Sequence, residues 1–231
     1  MICGIHQPQT WPWLGFFAKI YQSDIFVFLD NVQFKKQEYQ NRNKLKYGQQ
    51  ARWFTVPVIH SFGQKINQVK INNRERWKHD HKQTLQTYYS KAEYFDKYYE
   101  EIKSIYDQNW ELLYKFNLKT IYWLLEKLNI STKLYLASDL DTKQGEGQAP
   151  AEKLINIVKK VDADTYLSGQ GGQDYLNTDN FKKSDITLKF QNFEHPKYNQ
   201  LNPRFISHLS TLDLLLNQGP QSKNIILKGI K

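Results

Sequence analysis

The chain has one cysteine, Cys3, and one methionine, so no internal disulfide staples it. No stretch approaches the roughly 20 apolar residues of a membrane-spanning helix. The first residues lack the basic region and small-residue cleavage site of a secretory signal, which points to the cytoplasm. No Cys/His grouping has zinc spacing, so no metal site is expected. There is no G-x-S-x-G elbow, no P-loop and no dinucleotide fingerprint. Acidic residues are few, 23 against 32 Lys and Arg, for a formal net charge of +9. Disulfide scaffolds, membrane spans, zinc modules and serine hydrolases are thereby set aside.

What is there begins with residues 1–34. A short apolar run through Ile5 stops at His6-Gln7-Pro8. After the turn at Trp11-Pro12-Trp13, the segment from Leu14 to Tyr21 is apolar at helical spacing. Ile25-Phe26-Val27-Phe28-Leu29 is an unbroken apolar run of strand length, stopped by Asp30-Asn31. Strand, helix, strand predicts a βαβ unit, and an unbroken run fits a parallel strand covered on both faces. Cys3, in the first strand, reads as a small buried hydrophobe.

Residues 33–44 are polar and read as a loop or edge segment. Trp53 to Val58 predicts a strand with Pro57 at its edge or end, and Ile66, Val69 and Ile71 predict another. From about 74 to 128 the spacing is helical, in three helices marked by Trp77 to Tyr89, Tyr94 to Tyr106 and Leu112 to Leu125. Strands are expected at 133–137, 164–167 and 186–190. A loop is expected at 139–148, with Gly145 and Gly147 lending flexibility, and a helix from Pro150. The last predicted helix covers 205–216, stopped by Gly219-Pro220. The expected fold is α/β: a mostly parallel sheet with flanking helices, in a single domain over 1–231 with a helical insertion at about 74–128.

Ligands of open α/β sheets sit at the carboxyl ends of the strands, and the polar residues there are the candidate site. His6 suits proton transfer or a hydrogen bond to phosphate. Asp30 suits orienting or deprotonating an amine; Asn31 and Gln33 follow it closely, as Gln7 follows His6. Lys35, Asn41 and Arg42 suit an anionic group, with Arg42 offering a planar fork. Ser168-Gly169-Gln170-Gly171-Gly172 places three glycines in four positions, so backbone can approach a ligand; Asp174 and Tyr175 follow. His195-Pro196 is a further turn histidine. His79 and His81, at a basic helix start, read as surface. Residues 31–82 hold twelve Lys or Arg against Glu38, Glu75 and Asp80, which accounts for the whole net charge. Such a patch attracts nucleotides, nucleotide-linked substrates, RNA or an acidic membrane face.

Taken together, IHQPQTWPWLGFFAKIYQSDIFVFLDNVQFKK, QNRNK, ADTYLSGQGGQDYL, FQNFEHPKYNQ and LSTLDLLLNQG resemble the WbqC-like protein family, in order from near residue 2 to near 219. Residues 150–154 depart from the family, where a Ser or Thr and an Arg are expected around Glu152. The resemblance implies a place in bacterial surface-polysaccharide (O-antigen) synthesis and a transferase, with glycine transfer to an amino sugar suggested. His6 and Asp30 would then be catalytic. The partners would be a nucleotide-linked amino sugar and an activated acyl or aminoacyl donor, with ATP or charged tRNA as sources of activation. Asn31-Val32-Gln33-Phe34 also resembles, in architecture, the start of nucleotidylyltransferases and pantothenate synthetases. A nucleotidyl- or glycosyltransferase of the same pathway and a non-catalytic nucleic-acid or assembly partner stay open beside the amide-forming reading.

Overall fold

The computed structural model describes residues 1–142, 149–174 and 176–231. Its centre is a five-stranded sheet of β1 (Ile2–His6), β2 (Ile25–Phe28), β7 (Lys133–Leu136), β8 (Thr165–Ser168) and β9 (Thr187–Phe190), in the order β7-β2-β1-β8-β9. Every neighbouring pair runs parallel. α1 (Leu14–Tyr21) connects β1 to β2, so the predicted βαβ unit and the α/β class are present.

Alternation along the strands sorts the apolar residues into two cores. Cys3, Ile5, Ile25 and Val27 meet Leu154, Ile157 and Val158 of α5 (Pro150–Lys160) on one face. Phe26 and Phe28, both fully buried, face Phe16, Phe17 and the helical region on the other. Each such phenylalanine contributes about 2–3 kcal/mol of transfer free energy. β2 therefore needs apolar residues at consecutive positions, which is why it reads as an unbroken run.

The helical region comprises α2 (Trp77–Tyr89), α3 (Phe95–Asp107) and α4 (Leu113–Lys127). It shares a core with α1 through Trp11, whose indole donates to Tyr106 Oη at 2.8 Å. Trp11 has a φ of 44°, a left-handed conformation unfavourable for a bulky side chain. Full burial and that hydrogen bond offset the strain and fix the turn between β1 and α1.

Several predicted boundaries differ. Of the two readings of the polar stretch, loop or edge segment, the part after residue 41 is the second: β3 (Arg42–Tyr47) and β4 (Gln50–Thr55) form a two-stranded antiparallel hairpin turning at Gly48, φ 59°. The strand predicted to reach Val58 stops at Thr55, and a separate β5 (Val58–Ile59) pairs with β6 (Lys70–Ile71). Ile66 opens a 3-10 turn over Ile66–Gln68 and Val69 follows it, so neither lies in a strand. The helix predicted from 205 begins as α7 (Thr211–Gln218), because Ser210 caps it by accepting from Leu212 N. A short α6 (Thr178–Lys182) and a final α8 (Ser222–Leu227) complete the chain. The loop predicted at 139–148 is described only as far as Thr142. Among the described residues no helix is long and apolar enough to cross a membrane.

Candidate functional site

From β1 the chain builds towards β2 and β7, then returns to place β8 on the other edge of β1. The sheet therefore changes direction between β1 and β8, and a crevice forms outside the carboxyl ends of the strands at such a point. Gly4 pairs with Leu167, so His6, two residues on, stands level with Gly169. A hollow of about 560 Å³ opens there. Its wall includes His6, Gln7, Lys35, Ser168, Gly169, Gly171 and Gly172 from the predicted set, together with Lys19, Lys153 and Tyr166. A smaller chamber of about 260 Å³, walled by Trp13, Phe16, Gln191 and Phe193, shares His6, Lys19, Gly169 and Gly171 with it. Among the described residues, no Asp or Glu lines either space.

The His6 ring lies against Phe16, with Nδ1 3.0 Å from the Gln7 carbonyl oxygen. A carbonyl only accepts, so Nδ1 carries the proton and Nε2 is left as the acceptor. Burial, reinforced by Lys19, pushes the imidazole down to about 4, so it is neutral at neutral pH. Lys19 projects from α1, where every residue from Leu14 to Ile20 is buried. It is 2% exposed, and its Nζ donates to the Ile5 carbonyl at 2.7 Å. Burial lowers this amine to about 7. Lys153, in the first turn of α5, donates to the Asn31 carbonyl at 3.2 Å, and burial and Lys65 lower its pKa. In the 3-10 turn over Gln170–Asp174, a Cβ on Gly172 would meet Ser168 Oγ at 2.1 Å, so a larger residue there would have to displace the serine hydroxyl. Cationic side chains and a neutral imidazole, with no lining carboxylate among the described residues, complement a phosphate or carboxylate group.

Other predicted residues lie elsewhere. Asp30 ends β2, away from the crossover point, and is fully buried. Its Oδ1 accepts from Ser138 N at 2.9 Å and its Oδ2 from Asn67 Nδ2 at 3.2 Å. It ties the end of β7 to the 66–68 turn and acts on the hollow through its charge beside Lys153 rather than as part of the wall. Asn31 faces a separate depression beside Ser138 and Asp139. Gln33 is exposed and bridges to Lys65. Asn41 is buried and donates to the Val56 carbonyl at 3.1 Å, a structural tie. Arg42 stacks on Trp53, its guanidinium carbon 3.9 Å from the ring centroid. Asp174 is exposed at the end of the 3-10 turn, and Tyr175 lies outside the described residues. His195 donates from Nδ1 to the Pro196 carbonyl at 3.0 Å and packs among Tyr198, Phe205 and His208, behind the smaller chamber rather than on its wall.

His81 is not at the surface: it is buried, stacked on Phe54 at 3.7 Å and held between the Thr55 carbonyl and Tyr106 Oη. His79 lines a shallow groove beside Trp110 and Glu111 that holds none of the candidate residues. Among the described residues no grouping of His, Cys, Asp or Glu could hold a metal ion. Sequence reasoning missed Lys19 and Lys153. The signal for Lys19 was present: a lone charge in a helix with no other polar residue from Leu14 to Ile20.

Fold and hollow together define a class: a parallel α/β protein with a cationic crevice at the reversal of its strand order, lined by no carboxylate among the described residues. Within that class the chain belongs to the WbqC-like protein family, whose model matches residues 7–225. It is 29% identical over 226 residues to the uncharacterized protein Rv1507c of Mycobacterium tuberculosis, covering 96% of each chain. No solved structure matches.

Proposed function

We propose that the chain is an acyl- or aminoacyltransferase forming an amide on an amino sugar carried by a nucleotide, in bacterial surface-polysaccharide synthesis. One observation carries the reading: Lys35, Lys153 and the 169–172 turn meet at the strand crossover with no lining carboxylate among the described residues. This larger space takes the phosphates of a nucleotide-linked substrate. His6, on the wall common to both spaces, accepts a hydrogen bond from the attacking amine at Nε2 and so aims it. The activated carboxyl enters from the smaller chamber, as an adenylate or as a charged carrier such as glycyl-tRNA. Backbone amides of the glycine turn stabilise the oxyanion that develops at its carbonyl. Family membership supports the polysaccharide context.

A nucleoside triphosphate would fit the same cationic space, so nucleotidyl transfer is the reading to be separated. The test is mass spectrometry of amino-sugar nucleotides incubated with glycine and ATP, or with glycyl-tRNA, alongside pyrophosphate release from sugar phosphates and nucleoside triphosphates. The amide reading expects an acyl mass gain on the sugar nucleotide and a loss of about 100-fold in His6→Ala. Pyrophosphate release without acyl gain overturns it in favour of nucleotidyl transfer. No product with any donor, or an unaltered His6→Ala rate, overturns it outright.

A further inference from the structure

The buried amine at the wall between the two spaces has a geometry that the reading above leaves unused. Lys19 Nζ has three donor positions when charged, and its hydrogen bond within the protein goes to the Ile5 carbonyl. Both hollows include Lys19 in their walls. The charged and titratable groups around it are His6 and Cys3 from β1, Tyr166 from β8, Lys35 from the segment after β2 and Lys153 from α5. Cys3, its thiol pushed up to about 12 by burial, is uncharged at neutral pH. A lysine in a stable ion pair keeps its proton; among the described residues no carboxylate lines the hollow that Lys19 shares with His6, Lys35 and Lys153.

We infer that Lys19 is the proton acceptor of this hollow, a buried amine that reaches the wall of both spaces beside an anion cradle. This rests on the proposed transferase reading for the reaction it serves, but not for the state of the amine. In that reaction the substrate nitrogen forms its bond to the carboxyl carbon, and the bond from that carbon to the leaving oxygen breaks. The leaving oxygen departs with the bonding pair, and the surplus N–H proton passes to Lys19 Nζ. Lys19 then returns the proton to water through the larger hollow. His6, held near 4, is the weaker base of the two and keeps its orienting role. Efficient general bases titrate near the working pH, and the burial-lowered value of about 7 for Lys19 agrees.

The test needs no knowledge of the substrate. Pyridoxal 5′-phosphate carries a phosphate for the cradle and an aldehyde for an amine; amine and aldehyde give an imine and water, and borohydride reduces the imine to a stable secondary amine. The full-length protein is labelled across about pH 6 to 8, and the modified lysine is located by peptide mass spectrometry. Lys19 is expected to carry the principal label, with inorganic phosphate protecting it. Its labelling rate should rise about tenfold over this range and then level off, whereas an ordinary lysine rises about 100-fold without a plateau. Lys153→Ala should slow the labelling of Lys19, and Lys19→Met should remove it. Label spread over surface lysines, indifference to phosphate, or a rise with no plateau overturns the inference. Because the mapping is done on the unaltered chain, a variant that fails to fold does not blunt it. The two readings fail separately. A reactive Lys19 without acyl transfer to any sugar nucleotide sinks the transferase reading alone. Acyl transfer sustained in Lys19→Arg, with Lys19 labelling like a surface lysine, sinks this inference alone.

Discussion

Two lysines, each 2% exposed, sit in different parts of the molecule and are treated in opposite ways. Lys46, on β3, has its ammonium saturated: it donates to Gln200 Oε1 at 3.2 Å, to the Asn202 carbonyl at 3.0 Å and to the Arg204 carbonyl at 2.5 Å. Nearby, Asp213 on α7 accepts from Tyr89 Oη at 2.8 Å, Tyr198 Oη at 2.9 Å and Gln200 Nε2 at 2.9 Å. The two share Gln200 and fasten the hairpin, α2 and the 198–206 segment to α7. Lys19, at the sheet crossover, has one backbone acceptor and otherwise faces open hollow. A buried charge with every donor engaged holds structure together; one left short of partners beside a cavity carries a stability cost that only a ligand or a reaction explains.

The contrast is broken most forcefully at the saturated hub. Asp213→Ala leaves two tyrosine hydroxyls and an amide without their acceptor, and should cost about 3–5 kcal/mol. Lys46→Met should cost about 2–4 kcal/mol. Both are read from urea unfolding midpoints, and a loss under about 1 kcal/mol in both would dissolve the distinction.

Lys19→Met should go the other way, stabilising the fold by about 2–4 kcal/mol at pH 6 while abolishing transfer. The sign follows from linkage. The folded amine titrates near 7, far below its usual 10.5, so the folded state binds fewer protons than the unfolded one between those values. Stability of the unaltered chain therefore rises with pH through that window, and the advantage of Lys19→Met is greatest below pH 7 and shrinks above it. Thermal unfolding at a series of pH values measures this; an advantage independent of pH would mean that the gain comes from packing alone.

The finest comparison lies within the glycine turn. Gly172→Ala forces a Cβ against Ser168 Oγ and should cost about 1–3 kcal/mol. Gly171→Ala meets nothing within 4 Å and should change stability by less than about 0.5 kcal/mol, yet weaken phosphate protection in the labelling experiment. Unchanged protection in Gly171→Ala would show that the turn shapes the wall without touching the anion.

What the sequence disclosed follows from periodicity. β1, α1, β2 and the three long helices have apolar spacing that matches one period throughout, so their type was legible. β3 was not, because Asn43 and Lys46 are buried polar residues, and their partners lie far along the chain, Trp11 for one and the 200–204 segment for the other. The same blindness sent His81 to the surface, since Phe54 and Tyr106, which enclose it together with Trp77 one helical turn away, come from distant segments. In the site, His6 and the glycine turn stood out because a polar group ending an apolar strand is visible locally. Asp30 met the same criterion, and its strand does adjoin β1, but its carboxylate is taken up by Ser138 and Asn67, partners that no local pattern states.

β1 carries His6 and lies in the middle of the sheet, but the neighbour on one of its flanks is some 160 residues away in the chain, at Thr165. While the polypeptide is being made, at about 5–20 residues per second, that flank stays uncovered for on the order of ten seconds. The backbone groups of a very greasy strand are available meanwhile to any passing extended segment. The crossover that creates the hollow thus also makes the nascent chain a natural client for ribosome-associated chaperones, and a slow, aggregation-prone refolder when diluted from denaturant.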